Sequence, residues 1–251
     1  MQARFTTLLQ TLAILAAAAC APQAAHGAAC SDATLQGNYG ILLSGTALGN
    51  PVAIAGQLSL DGGGGITGLE TINTNGVMMI SAQVSGTYSL AAGCTGTAAI
   101  TPSGGTTANY NLVVAAGKVQ ILSADSGTVQ SGVLAPQGIS SCPAGTVKGT
   151  YSLNEAGFLV GQGPVAYGGQ VLLQGGGTVQ GTRAGSTNGS ISAGDQIAGA
   201  YVIDPRCFGA AVLSINHGPP LHFNLVVVNS GREVIFIQID QDTVIAGSLD
   251  R

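Results

Sequence analysis

The stretch Gly86-Thr-Tyr-Ser-Leu-Ala-Ala-Gly-Cys94-Thr-Gly96 returns later in the chain as Gly199-Ala-Tyr-Val-Ile-Asp-Pro-Arg-Cys207-Phe-Gly209. Each copy reads as a strand, a short turn carrying a cysteine, and the start of the next strand. Working outward, the flanks also come twice. Gly149-Thr-Tyr151 answers Gly37-Asn-Tyr39, and Val165-Ala-Tyr-Gly-Gly-Gln170 answers Val52-Ala-Ile-Ala-Gly-Gln57. Phe223-Asn-Leu-Val-Val227 answers Tyr110-Asn-Leu-Val-Val114, and Thr243-Val244 with Gly247 and Leu249 answers Thr128-Val129 with Gly132 and Leu134. The matches keep one order with small gaps. This is a domain duplication, because solenoid units are several-fold shorter.

Within the first copy, Val52, Ile54, Leu58 and Leu60 alternate with Ala53, Ala55, Gln57 and Ser59. That is strand period, not helix period. Asp61-Gly-Gly-Gly-Gly65 is a turn. Further strands are predicted at 66–73, within 77–90, and at 94–101, 107–114, 118–123 and 128–134. The organisation expected is an N-terminal signal at 1–29, a first repeat at 30–134, a linker at 135–141 and a second repeat at 142–251. About eight short strands per repeat have one economical solution: closure, which leaves no unpaired edge. The fold predicted is all-β, two tandem eight-stranded antiparallel up-and-down barrels. Paired β-sandwiches are the alternative. A single outer-membrane barrel fits worse, since no aromatic girdle is visible.

Composition narrows the function classes. Of 251 residues, 45% are apolar and 7% charged, with a net charge of −4. No Lys/Arg cluster exists to neutralise phosphates, so nucleic-acid binding is not expected. Arg4 and the apolar stretch from Leu8 to Ala19 have the form of an export signal, too short to span a bilayer. The expectation is an exported protein, periplasmic or extracellular and not membrane-spanning, with lipid anchoring through Cys20 as the alternative. The other four cysteines, Cys30, Cys94, Cys142 and Cys207, fall at matching places in the two repeats. Four cysteines allow three connectivities. The duplication favours Cys30–Cys94 and Cys142–Cys207, since each copy then folds alone.

Taken together, the Gly-x-Tyr openings, the mid-domain glycine runs, Gly-x-Tyr followed by Cys-x-Gly and the closing Thr-Val…Gly resemble a group of secreted bacterial β-barrel proteins with no established activity. Gly37-Asn-Tyr39 and Gly149-Thr-Tyr151 are also similar to the Gly-x-Trp that opens the first strand of lipocalins, with tyrosine in place of tryptophan. That resemblance implies architecture and does not carry function.

Few residues offer chemistry. Glu70 and Arg183 occupy equivalent positions, each a lone charge in a mostly uncharged strand. They are candidate ligand-orienting groups if they point inward, and candidate partners for each other if the repeats face one another. Solvent exposure is the favoured reading for both, and for Glu155. Asn111 and Asn224 recur in both copies as candidates for a polar lumen. His217 and His222 flank one turn and are candidate metal ligands, although zinc needs a third protein ligand. Asp240-Gln-Asp242, with Asp125 matching Asp240, reads as a solvated turn rather than a calcium loop. No nucleophile elbow is present, and no cofactor is expected.

The function expected is therefore an exported, non-catalytic structural or interaction protein, with self-association or a surface partner. One alternative is a binder of a small apolar ligand. Another is a barrel cyclase built on Glu70, Arg183 or the histidines.

Overall fold

The computed structural model describes residues 29–115, 117–143 and 145–251. The predicted export signal, all but Ala29, and Cys20 lie outside the described residues. The first barrel is built from β1 (Gly37–Ala47), β2 (Asn50–Leu60), β3 (Gly65–Thr74), β4 (Val77–Leu90), β5 (Thr95–Pro102), β6 (Ala108–Ala115), β7 (Lys118–Ser123) and β8 (Thr128–Pro136). The second is built from β9 (Gly149–Leu159), β10 (Gly163–Gln174), β11 (Thr178–Thr187), β12 (Ser190–Ile203), β13 (Phe208–Ile215), β14 (Pro220–Val228), β15 (Glu233–Gln238) and β16 (Thr243–Asp250). Consecutive strands pair antiparallel, and β1 with β8 and β9 with β16 close the two rings. Both are up-and-down barrels, as the sequence predicts.

Local chemistry fixes the hairpins in duplicate. Asn75-Gly76 joins β3 to β4, and Asn188-Gly189 joins β11 to β12, all four at positive φ. Asn-Gly is the residue pair that a two-residue type I′ turn demands. Both disulfides form as the duplication favours, Cys30–Cys94 and Cys142–Cys207. Each ties the segment before the first strand to the turn after the fourth. On the chain-entropy model a loop of this length gives about 4 kcal/mol.

Those N-terminal segments plug one end of each barrel. Leu35, from the short 3-10 turn Asp32–Leu35, is buried in the first core. The Tyr88 hydroxyl donates to the Asp32 carbonyl at 3.0 Å. In the second barrel Val147 is buried, and Tyr201, the counterpart of Tyr88, donates to its carbonyl at 2.6 Å. The opposite ends, carrying the β1–β2, β3–β4, β5–β6 and β7–β8 turns and their counterparts, are the mouths.

The barrels pack side by side with both mouths at the same end of the molecule. At the mouth end the Asn73 amide donates to the Thr243 carbonyl at 2.5 Å. At the plugged end Lys118 pairs with Glu233 at 3.3 Å. Between them a third apolar cluster gathers Ala53 and Ala55 of β2 with Val226, Val228, Ile235 and Ile237 of the second barrel. Thus the alanine face of β2, opposite its lumen face, is also covered. Gly40 permits the approach: a Cβ there would lie 2.5 Å from Val228 Cγ1. Gln137 ties the linker to both barrels, through Gln57 at 2.7 Å and the Val227 carbonyl at 3.3 Å.

Candidate functional site

The duplication sets up one position twice. Glu70 is the sixth residue of β3, and Arg183 is the sixth of β11. Beside each, the neighbouring strand carries one extra residue. The register shifts between Glu70 and Ile72 against β4, and between Arg183 and Gly185 against β12. Ser81 and Gly194, both at positive φ, absorb the two bulges. Glycines leave room on the lumen side. A Cβ at Gly56 would sit 2.9 Å from Glu70 Cγ, and one at Gly169 would sit 2.9 Å from Arg183 Cβ. Both charges therefore turn inward, not into solvent as the sequence reading favours. They do not meet, since each lies in its own barrel.

In the second barrel the inward charge is answered. Arg183 forms an ion pair with Glu155, whose side chain is 5% exposed. The guanidinium also lies 3.9 Å from the centre of the Tyr167 ring. The Tyr167 and Thr187 hydroxyls are 3.0 Å apart. Burial pushes the Glu155 carboxyl up, and the Arg183 guanidinium beside it pulls it part of the way back. Glu155 too is buried rather than solvated. The space left in this lumen is about 50 Å³, walled mostly by Val, Leu and Ile. Glu155 and Arg183 also line it, and Arg183 Nε has no hydrogen-bond partner among the described residues.

In the first barrel the same positions are filled differently. The seventh residue of the first strand is Leu43 instead of Glu155, and the fifth of the second is Ile54 instead of Tyr167. Glu70 is 4% exposed, and its Oε1 has no hydrogen-bond partner among the described residues. Burial raises its pKa to about 7. Beside it stands a cavity of about 290 Å³, whose wall includes Ile54, Ile72, Tyr110, Asp125 and Gln130. The Tyr110 phenol is raised by burial first, then by the negative charges of Glu70 and Asp125. So the first lumen keeps room at its mouth and a carboxyl group facing that room.

The other candidates lie elsewhere. Asn111 is exposed on the outer wall of β6, because Tyr110 takes the lumen side. Asn224, its counterpart, faces the first barrel and donates to Thr71 Oγ1 at 2.8 Å. Neither asparagine lines a lumen. His217 and His222 do not stand opposite each other: His222 pairs across β13 with Val212, while His217 sits in the turn at positive φ. The His222 ring and backbone N–H instead engage Asp240, at 2.7 Å and 2.9 Å. Asn109 engages Asp125 in the same way, at 2.8 Å and 2.9 Å. Asp125 and Asp240 are thus turn staples that the duplication reproduced. Among the described residues no group of three or more His, Cys, Asp or Glu is placed to hold a metal.

A larger hollow of about 870 Å³ lies against the outer wall of the first barrel, lined by exposed Asn38, Ser59, Thr67, Gln83 and Ser85. Among the described residues it presents no buried unpartnered side-chain group. Among the described residues no helix is long and apolar enough to cross a membrane.

No family model matches the chain, and neither does any curated protein. Among solved structures, the isotype 1 transferrin binding protein B of serogroup B Neisseria meningitidis is similar over 80% of this chain, at 6% identity and a TM-score of 0.35. The chain spans 64% of that structure's chain, and a likeness at this level carries no functional inference.

Proposed function

We propose that this chain is an exported, non-catalytic binding protein whose working end is the mouth of the first barrel. The second barrel, with its filled lumen, is the support. The observation that carries this is Glu70: a carboxyl group 4% exposed, lacking a partner on Oε1, beside a 290 Å³ cavity. A buried polar group without a partner is costly, and a ligand that supplies the partner removes the cost. The cavity combines apolar walls such as Ile54, Ile72 and Ile100 with polar groups such as Thr107, Ser123 and Gln130, and small-molecule sites likewise set polar groups in an apolar lining. Two disulfides support export, since such bridges persist in oxidising compartments. Catalysis is supported less well. Glu70 has the pKa of a general base. Yet among the described residues no Lys, Arg or His lines its cavity to stabilise a developing negative charge.

Native mass spectrometry of the mature protein from its own source tests the reading. The expected result is a small molecule that leaves on denaturation. Bare protein, with no stabilisation by any member of a small-molecule panel, overturns it.

One observation favours a second reading, contact between copies of the chain through the mouth end. Four of the most exposed apolar side chains stand there: Leu48 at 82%, Val77 and Ile191 at 75%, and Val129 at 74%. Leu48 is moreover held at φ 49, a conformation suited to asparagine or glycine. Sedimentation velocity on Leu48→Asn decides: self-association is expected to weaken while stability holds or rises. Unchanged association, or a wild type that is monomeric throughout, removes this reading.

A further inference from the structure

We infer that the mouth of the first barrel takes an organic cation, a small protonated amine carried on an apolar body. This rests on the reading that the mouth binds a ligand, and adds the ligand's class.

The second barrel shows what this kind of lumen accommodates. There a carboxylate, a guanidinium and an aromatic face form one buried group: Glu155, Arg183 and Tyr167. The first barrel has the carboxyl group, Glu70, and an aromatic residue, Tyr110, but among the described residues no cation lines the site. What is missing is the positive partner.

The surroundings exclude other classes. Besides Glu70, the titratable groups lining the cavity among the described residues are Tyr110 of β6 and Asp125 of the β7–β8 turn, and neither is cationic. Around the cavity β2 presents Ile54, β3 Ile72, β5 Ile100 and β8 Gln130. On the side of the second barrel the nearest charges, Asp204 and Arg206, pair with each other at 2.7 Å in the groove outside the lumen. An anion would meet Glu70 and Asp125 with nothing to offset them. A neutral ligand leaves an ionised Glu70 without a counter-charge and is served only by the protonated acid, a form lost as pH rises through about 7. A protonated amine satisfies Oε1 with a charge-assisted hydrogen bond, while its apolar body covers the isoleucines. A volume of about 290 Å³ limits that body to a small ligand.

Such binding requires Glu70 ionised, so amine binding releases its proton when the free protein holds one. With the free carboxyl titrating at about 7, affinity for an amine that stays protonated rises about tenfold between pH 6 and pH 8.

The test is calorimetric titration of the full mature, disulfide-bonded protein with three probes of one shape: benzylamine, benzyl alcohol and benzoate. Benzylamine is expected to bind best, about tenfold tighter at pH 8 than at pH 6. Glu70→Gln is expected to abolish that preference and its pH dependence. Thr107→Lys, on an exposed loop at the cavity rim, is expected to weaken benzylamine without touching the core. If benzyl alcohol or benzoate binds as well, or benzylamine is indifferent to both substitutions, the cation inference is overturned and the mouth remains a binding site. If none of the three binds, the ligand-binding reading fails as well.

Discussion

The two barrels are the same fold with opposite solutions for one inward-facing position. In the second, Arg183 is matched by Glu155 and covered by Tyr167, and about 50 Å³ remains empty. In the first, Leu43 and Ile54 stand at the positions of Glu155 and Tyr167, and about 290 Å³ remains at the mouth. The bulges, the glycines that make room and the plugs at the far ends are common to both. The backbone therefore prepares a polar position in each lumen, and the neighbouring side chains decide whether it is a structural ion pair or an open site. A buried pair gives each charge its counter-charge, here with Arg183 Nε left unbonded, whereas a single buried charge shifts its pKa and waits for a proton or a ligand.

Breaking the pair in the second barrel is expected to have the largest effect. Arg183→Leu leaves Glu155 buried without its cation and should cost about 3–5 kcal/mol in chemical denaturation. The double variant Glu155→Leu with Arg183→Leu, which gives this lumen the apolar character of Leu43 in the first, should recover most of that loss. A double variant as unstable as the single one would show that the pair's value lies in packing, and the comparison of the lumens would lose its electrostatic basis.

Glu70 gives the next effect, and its sign is opposite to that of a salt-bridged acid. Its folded pKa, about 7, lies above the ordinary 4.5. The folded state therefore binds the proton more tightly, and the stability is fully present below about pH 4.5. It is lost as pH rises through about 7, a change on the order of 3 kcal/mol. Glu70→Gln should flatten this limb and be the more stable protein at pH 8, as read by urea midpoints across pH. An identical pH profile in the variant would mean that Glu70 is already paired in solution.

Much of this architecture was legible in the sequence, because duplication repeats every error-prone signal. The Asn-Gly turns, the cysteine spacing and the alternation of β2 each occur in a readable form. The docking face was harder, although it left a trace. In β7 buried and exposed residues alternate, whereas its counterpart β15 is buried at all six positions. A strand apolar along its length is covered on both faces, and Val234-Ile-Phe-Ile237 carries that signal beside Val119-Gln-Ile-Leu122. The site was half legible. Alternation along β3 places Glu70 with Ile66 and Ile72 on the core side. Residue type argued the other way, since glutamate and arginine are rarely buried unpaired. What resolves the conflict for Arg183 is Glu155, two strands away across β10 and invisible to local pattern. For Glu70 nothing among the described residues resolves it, which is why that position marks the site.

The smallest expected effect tests what the barrels share. Asp125 and Asp240 occupy the same turn, and each accepts hydrogen bonds from one residue's side chain and backbone, Asn109 or His222. The bonds from Asn109 hold the Asp125 carboxyl below its ordinary range. Partial burial works against Asp240, but the bonds from His222 and Gln238 keep it low as well. Depressed acids stabilise above the unfolded pKa, near 3.8, and lose that contribution as pH falls through the lower folded value. Asp125→Asn and Asp240→Asn should each cost about 1 kcal/mol near neutrality, by equal amounts if the barrels differ only in their lumens. The costs should vanish in strong acid. The pH profile of stability then separates into two limbs of opposite slope. Asp125 and Asp240 share the acid limb with the other depressed carboxyls, Asp61, Asp195 and Asp204, while among Glu70, Asp125 and Asp240 the neutral limb is removed by Glu70→Gln alone. An acid limb reduced by Asp125→Asn but unchanged by Asp240→Asn would show that the difference between the barrels reaches beyond the lumen, into the turns that frame its mouth.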